Sequence, residues 1–281
     1  MVNLNEDKQS MKLLTKTLLY LVSFPVFSRI YGSLTKLRYP KFIIRKIIRW
    51  FIETYKINMD EYKVDVDDYN SLAEIFIRKL DPAKRALIPN PGSILSPADG
   101  IVSSMELIRT DKAVQVKGVE YSISECLNRE IEFSNGWYIT TIYLSPSDYH
   151  RFHFPVSGSL NGYCHIRGRL FPVNKLGLNN IKKLFLRNER ILIDMNFNGK
   201  QIFIAAVGAT FVGSIKMEFI DNYKRDNKWK PKTMDIAQLQ EMGRFELGST
   251  IIMATPEKMA TPVDNLIGKE IKTGDILFKL I

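Results

Sequence analysis

Three residue types that can together activate a hydroxyl occur in short, well-marked stretches of this chain. Asp99 lies in "SPADG", His150 and His153 in "LSPSDYHRFHFP", and Ser249 in "GRFELGSTIIMATP". An imidazole can take the proton of a serine hydroxyl, and a carboxylate can orient that imidazole. The chain order is Asp, His, Ser, which excludes nothing, because unrelated folds reach the same geometry in different orders. Each residue also has a plainer explanation. Asp before Gly forms turns. The two histidines have no nearby cysteine or clear carboxylate partner, so no metal is expected there. His165, in "GYCHIRG", reads as structural or exposed. Ser249 lacks the Gly-x-Ser-x-Gly elbow and the βα alternation of an α/β-hydrolase. The residues alone leave the chemistry open.

The elements around Ser249 have a clear pattern. Phe245 and Leu247 alternate with polar neighbours, and Ile251, Ile252 and Met253 continue as an apolar run. This predicts a strand, a break at Gly248-Ser249, and a second strand. Glycine inside a strand often marks close backbone approach. From Ile94 onward, short apolar runs such as "WYITTIYL", "RILIDMNF" and "DILFKLI" alternate with turn signals at Asp99-Gly100, Asn135-Gly136 and Asn198-Gly199. The expectation is an α+β protein with a β-rich catalytic domain over residues 58–281. "SLAEIFIRKL" predicts a short helix with Ser71 and Glu74 as a capping box. Residues 221–240, polar and basic, predict a surface loop.

Residues 1–57 have a different texture. The chain carries a net charge of +10 over 281 residues. Between Lys8 and Lys56 there are eleven Lys and Arg against one acid, Glu53. Such a balance points to an anionic partner. No helix-turn-helix, RNP or zinc pattern supports nucleic acid. "PKFIIRKIIRWFIETY" predicts a helix with Lys41, Arg45, Lys46 and Arg49 on one side and Ile43, Ile44, Ile47, Ile48, Phe51 and Tyr55 on the other. A basic amphipathic helix can lie in a membrane interface, or can pack on its own domain with a solvated basic face. The longest uncharged run, residues 17–28, has twelve residues. A crossing helix needs about 20. No small-residue cleavage site follows it, which argues against a signal peptide. The two cysteines, Cys126 and Cys164, form no framework and fit a reducing compartment.

The combination of motifs is far more specific than any one of them. "SPADG", "YLSPSDYHRFHFP", "LFPVN", "LFLRNER", "VGATFVGSI" and "EMGRFELGSTII" follow one another in an order and spacing that resemble the phosphatidylserine decarboxylases. The resemblance extends over essentially the whole chain. It implies a proenzyme that cuts itself between Gly248 and Ser249, giving chains 1–248 and 249–281. It implies that Ser249 becomes a covalent pyruvoyl group, which forms a Schiff base with the lipid amine and serves as the electron sink. It assigns His153, held by Asp99, as the base for self-cleavage and His150 as the proton donor in decarboxylation. Phe171 and Asn174 are the implied head-group contacts. Pro172 departs from the family pattern, which often has Ser there. The implied partners are a phospholipid substrate and a membrane surface, with a peripheral location on the cytoplasmic face. Oligomeric state stays open, a homodimer included.

Two other readings differ in testable ways. A hydrolase using Ser249, His153 and Asp99 would keep its serine. "SPADGIV" and "GKEIKTGDILFKL" also resemble the turns of barrel-sandwich carrier domains, which would need a modified Lys or His and no self-cleavage. That likeness reports fold, not function.

Overall fold

The computed structural model describes residues 14–115, 119–210, 215–220, 225–246 and 249–281. Its centre is an eight-stranded sheet in which every pair runs antiparallel. The sixteen strands in chain order begin with β1 (Ser93–Leu95), β2 (Gly100–Ile108), β3 (Ala113–Val114), β4 (Glu120–Tyr121) and β5 (Trp137–Leu144). They continue with β6 (Arg151–His153), β7 (Gly158–Ile166), β8 (Arg190–Phe197), β9 (Lys200–Gly208), β10 (Ile215–Met217) and β11 (Trp229–Ile236). The last are β12 (Glu241–Phe245), β13 (Ser249–Pro256), β14 (Ala260–Pro262), β15 (Glu270–Ile271) and β16 (Ile276–Leu280). The large sheet has the order β11-β7-β8-β9-β13-β5-β2-β15. Two three-stranded sheets, β1-β16-β14 and β10-β12-β6, and the hairpin β3-β4 complete the β structure.

The large sheet is apolar on both faces. Along β9, Phe203, Ala205 and Val207 join one core, while Ile202, Ile204 and Ala206 join the other. Along β13, Ile252 and Ala254 face the first core, and Ile251 and Met253 the second. A strand with period-two side chains can be buried on both faces only when something covers each. One face shares its core with the N-terminal helices α1 (residues 14–22), α2 (Pro25–Thr35) and α3 (Lys41–Tyr55), through Leu19, Ile44, Ile48 and Phe51. Short helices α4 (Leu72–Phe76), α5 (Ile123–Leu127), α6 (Lys175–Asn180) and α7 (Leu184–Arg187) add to it. The other core holds Ile94, Phe278 and Ala260 from β1-β16-β14 and Phe152, Ile215 and Phe245 from β10-β12-β6.

Several sequence expectations are met and some are corrected. The strands flanking Gly248-Ser249 are β12 and β13, while Gly248 itself lies outside the described residues. Asn198-Gly199 makes the tight turn between β8 and β9, both residues having positive φ. Residues 221–240 do not form only a loop: Trp229–Ile236 is an edge strand, paired with β7 and interrupted by a shift after Pro231. Lysines and a proline on an edge strand block pairing with a further chain. Ser71 caps α4 through the Glu74 amide, but the Glu74 carboxylate reaches the Asn70 amide instead of closing a capping box on Ser71.

The amphipathic face of α3 is divided. Ile44, Ile48 and Phe51 are buried, and Phe51 meets Phe76 of α4 at 5.1 Å between ring centres. Phe42, Ile43, Ile47 and Trp50 are exposed. So are Leu14, Leu18, Leu21, Val26, Phe27 and Ile30 of α1 and α2, and Phe24 in the junction between them. No helix among the described residues is long and apolar enough to cross a membrane.

Candidate active site

Ser249 is the first residue of β13. It pairs with Leu144 at the end of β5 and Gly208 at the end of β9, at the centre of the large sheet. Its hydroxyl is fully buried and, among the described residues, has no hydrogen-bond partner. Thr140 of β5 and Thr250 and Thr255 of β13 also have buried hydroxyls without partners there, so what sets Ser249 apart is its place at the head of a central strand.

The loop after β5 carries the histidines back to the same end. The amide of Phe245, at the end of β12, donates to the carbonyl of His150 at 2.9 Å. Arg78, itself buried, fixes this loop by donating to the carbonyls of Ser147 at 2.5 Å and Asp148 at 2.9 Å. Its other bond goes to the carbonyl of Ile75 at 2.8 Å, and its guanidinium lies 4.4 Å from the Tyr62 ring centre. The Asp148 carbonyl in turn sits 2.7 Å from Nδ1 of His150. A carbonyl only accepts, so Nδ1 carries the proton and Nε2 presents a lone pair. That Nε2 is buried and unpartnered. Burial, helped by the charge of Arg78, pushes the His150 pKa down to about 4. The ring packs edge-on against Phe76 at 5.4 Å.

His153 is satisfied on both sides. Its Nδ1 donates to the Leu239 carbonyl at 2.8 Å, and its Nε2 accepts from the Tyr149 hydroxyl at 3.1 Å. Burial pushes its pKa below the usual imidazole value. The histidine backbone is tied to the Asp99 loop, since its amide donates to Pro97 O at 2.8 Å.

Asp99 is in the same region, but its carboxylate is engaged elsewhere. Arg85 grips it with two bonds of 2.7 and 2.8 Å, and the amide and hydroxyl of Thr273 donate at 2.8 and 2.9 Å. The hydrogen bond expected from the His153 ring to Asp99 is therefore replaced. A forked guanidinium and a backbone amide saturate the carboxylate better than one imidazole does. The carbonyl of Leu239 takes the orienting place on Nδ1. Asp99 still acts on His153 through space, where its charge favours the protonated ring. Gly100 lets this turn lie flat on β5, because a Cβ there would stand 2.3 Å from the Tyr143 carbonyl oxygen.

A cavity of about 340 Å³ lies near this end of the sheet, though Ser249, Asp99, His150 and His153 do not line it. Leu144, the cross-strand partner of Ser249, lines it, as does Ala209, which follows Gly208. Phe76, against His150, forms another wall, and Tyr31, Tyr55 and Tyr143 supply phenols. Asn174 reaches the cavity and also caps α6, its oxygen accepting from the Gly177 amide at 3.2 Å. Phe171 does not line it. Phe171 is 1% exposed, packed edge-on against Tyr20 at 5.1 Å, with its amide and carbonyl held by Asn188. Its neighbours Pro172 and Val173 face the cavity instead. His165 is structural: it is buried, with Nε2 2.8 Å from Glu189.

Sequence reasoning did not single out Arg78, Arg85, Tyr149 or Thr273. Arg78 and Arg85 had a signal of sorts, since arginines adjoining apolar runs can be internal. Thr273 and Tyr149 had none, because nothing local shows what a distant strand will bring against them.

A profile of the family described as phosphatidylserine decarboxylase matches residues 72–279. The phosphatidylserine decarboxylase proenzyme of Brevibacillus brevis is 36% identical over 263 residues, which cover 89% of this chain and 92% of its own. That of Marinobacter nauticus is 34% identical over 266 residues, covering 90% and 93%. That of Alkalilimnicola ehrlichii is 38% identical over 224 residues, covering 73% and 76%.

Proposed function

The chain belongs to the phosphatidylserine decarboxylase family and is a carboxy-lyase of phospholipid synthesis, and from that premise we propose that Ser249 is both the nucleophile of self-cleavage and the source of the prosthetic group. The observation that carries this reading is the buried Ser249 hydroxyl at the head of a central strand, with no partner among the described residues. Its relatives are proenzymes by name, which suits a chain that processes itself.

Self-cleavage proceeds through this chain's own atoms. The Oγ of Ser249 attacks the carbonyl carbon of Gly248, and the peptide C–N bond breaks as an ester forms. An imidazole takes the hydroxyl proton. Loss of the Ser249 α-proton then breaks the Cβ–O bond. Residues 1–248 leave with a carboxylate, and water replaces the remaining nitrogen as ammonia. The pyruvoyl group left on residue 249 would supply a ketone for Schiff-base chemistry with the lipid amine and serve as the electron sink for decarboxylation. The surroundings suit it, because residue 249 is buried and its hydroxyl has no competing partner among the described residues.

His153 is the base by family pattern, with Asp99 as a positioning residue that braces Arg85, Thr273 and the turn beneath it. For His153 Nε2 to take a proton, the Tyr149 hydroxyl must yield its place. His150 then supplies the proton that replaces the lost carboxyl group. Burial makes any proton on its Nε2 easy to give away. A second assignment, with the two histidines exchanged, draws on one observation: His150 Nε2, not His153 Nε2, carries the free lone pair.

The cavity would take the serine head group, with Asn174 and the tyrosines as polar contacts. The exposed apolar residues of α1, α2 and α3 would enter the membrane from which the lipid comes, making the enzyme peripheral, on the cytoplasmic face. The test is Ser249→Ala. It should give one full-length, inactive chain on a denaturing gel. Two fragments from that variant would refute serine attack.

A further inference from the structure

A cleft separate from the catalytic cavity gathers three arginines at the foot of α1 and α2. Arg167, Arg169 and Arg187 line it together with Tyr20, Phe24 and Phe171. The two chain segments that carry the arginines are clamped side by side. The Arg169 amide donates to the Arg187 carbonyl at 2.7 Å, and the Glu189 amide donates to the Arg169 carbonyl at 2.8 Å. Gly168 permits this approach, since a Cβ there would stand 2.4 Å from the carbonyl carbon of Asn188. The arginines are thus rooted on a rigid base.

Their charges lack acidic partners. Among the described residues none of the three forms an ion pair. Glu189, next in the chain to Asn188, is bonded to His165 and lies 3.5 Å from Arg225. The Arg169 guanidinium stacks 3.7 Å from the centre of the Phe24 ring, and its Nη1 is buried with no hydrogen-bond partner. Arg187 donates to the Tyr20 hydroxyl at 2.5 Å. A buried guanidinium nitrogen left unpaired is costly. The fork of an arginine matches the oxygens of a phosphate.

We propose that this cleft binds the phosphate of an anionic phospholipid, distinct from the substrate, at the membrane surface. The source follows from the neighbours. Phe24 forms one wall and is exposed beside Leu21, Val26 and Phe27, the side chains read above as entering the lipid. The helix junction is pinned there, because the Leu170 amide donates to the Ser23 carbonyl at 2.9 Å. An anion in the cleft would lie at the level of those apolar residues, where head groups lie. The site is distinct because the segment from Arg169 to Pro172 divides it from the catalytic cavity: Arg169 and Phe171 line the cleft, Pro172 the cavity. The inference rests on the membrane-docking part of the proposed function.

The test is calorimetric titration of the full-length protein with short-chain phosphatidylglycerol below its micelle concentration. This lipid has no amine and cannot act as substrate, and no bilayer is present to add diffuse attraction. Saturable binding at one site is expected. Arg167→Gln and Arg169→Gln should each weaken it by about fivefold, the effect of one charge near a phosphate. The Arg167 side chain is exposed and forms no ion pair among the described residues, and its amide bond to Asn227 survives the change, so its variant should fold even if the Arg169 variant does not. Lys41→Gln with Arg45→Gln should leave binding unchanged. Inorganic phosphate should bind about tenfold or more weakly, because it lacks the glycerol and chain contacts. Wild-type affinity in both arginine variants would overturn the proposal. So would phosphate binding as tightly as the lipid, which would mark a free-anion site. Loss of turnover of monomeric phosphatidylserine in Arg167→Gln would also overturn it, placing the cleft within the substrate site. Failure of the wild type to decarboxylate at all would refute the proposed function and leave the titration to be read by itself.

Discussion

His150 and His153 stand three positions apart and differ in what their ring nitrogens touch. His153 is held by Leu239 and Tyr149, whereas His150 is held only through Nδ1. His153→Gln should abolish or slow self-cleavage by about a hundredfold or more, the usual worth of a general base. His150→Gln should still cut but decarboxylate poorly. A gel time course and a carbon dioxide assay on both variants check this. If His150→Gln fails to cut and His153→Gln cuts normally, the free lone pair of His150 is the base. The buried His150 also ties stability to pH. The unfolded ring binds a proton near pH 6.5 and the folded one only near 4. Its contribution is thus fully present above pH 6.5 and is lost as pH falls toward 4. Each pKa unit corresponds to about 1.4 kcal/mol, so up to about 3 kcal/mol is at stake. Melting curves from pH 7 to 4 should fall, and His150→Gln should fall less steeply. Equal slopes would mean that the ring is not desolvated as described. At this scale the sequence was legible for the residue types of the site and not for their partners. Asp99 looked like an orienting carboxylate, yet Arg85 and Thr273 came to it from elsewhere in the chain.

Among the elements, the strands were legible as short apolar runs between turn signals. The break expected at Gly248-Ser249 falls partly outside the described residues, and Ser249 itself lies in β13. The edge strand β11 was not legible, because Lys230, Pro231 and Lys232 carry the composition of a loop while the pairing comes from β7. Helix α3 was legible as amphipathic, but periodicity does not say whether an apolar face meets lipid or protein. The structure divides it, with Ile44, Ile48 and Phe51 inside and Phe42, Ile43, Ile47 and Trp50 outside. The two groups should respond differently. Ile48→Ala should destabilise the fold by about 2–5 kcal/mol, the usual cost of a truncated core side chain. Replacing Leu18, Leu21, Phe27 and Ile30 together by Ser should leave the melting temperature nearly unchanged and remove most vesicle binding. Co-sedimentation with anionic vesicles and a thermal melt on the same samples measure both. Undiminished binding by the quadruple variant would show that α1 and α2 are not the docking surface. Deleting residues 1–56 is a poorer experiment, since it removes core residues along with exposed ones.

Across the whole molecule, the design is a both-faces-buried sheet whose central strand begins at Ser249. Pairing on both sides fixes Ser249 between Leu144 and Gly208, while its hydroxyl is left without a partner among the described residues. The helices cover one face and supply walls to the cavity. The central claim is that the chain converts Ser249 itself into its prosthetic group. The most direct measurement is the intact mass of the purified wild-type protein under denaturing conditions. The account expects two chains, residues 1–248 and 249–281, with the smaller one lighter than a serine-initiated chain by one ammonia. An active sample that remains one uncut chain, or whose small chain begins with an intact serine, would contradict it and favour a hydrolase that keeps its nucleophile.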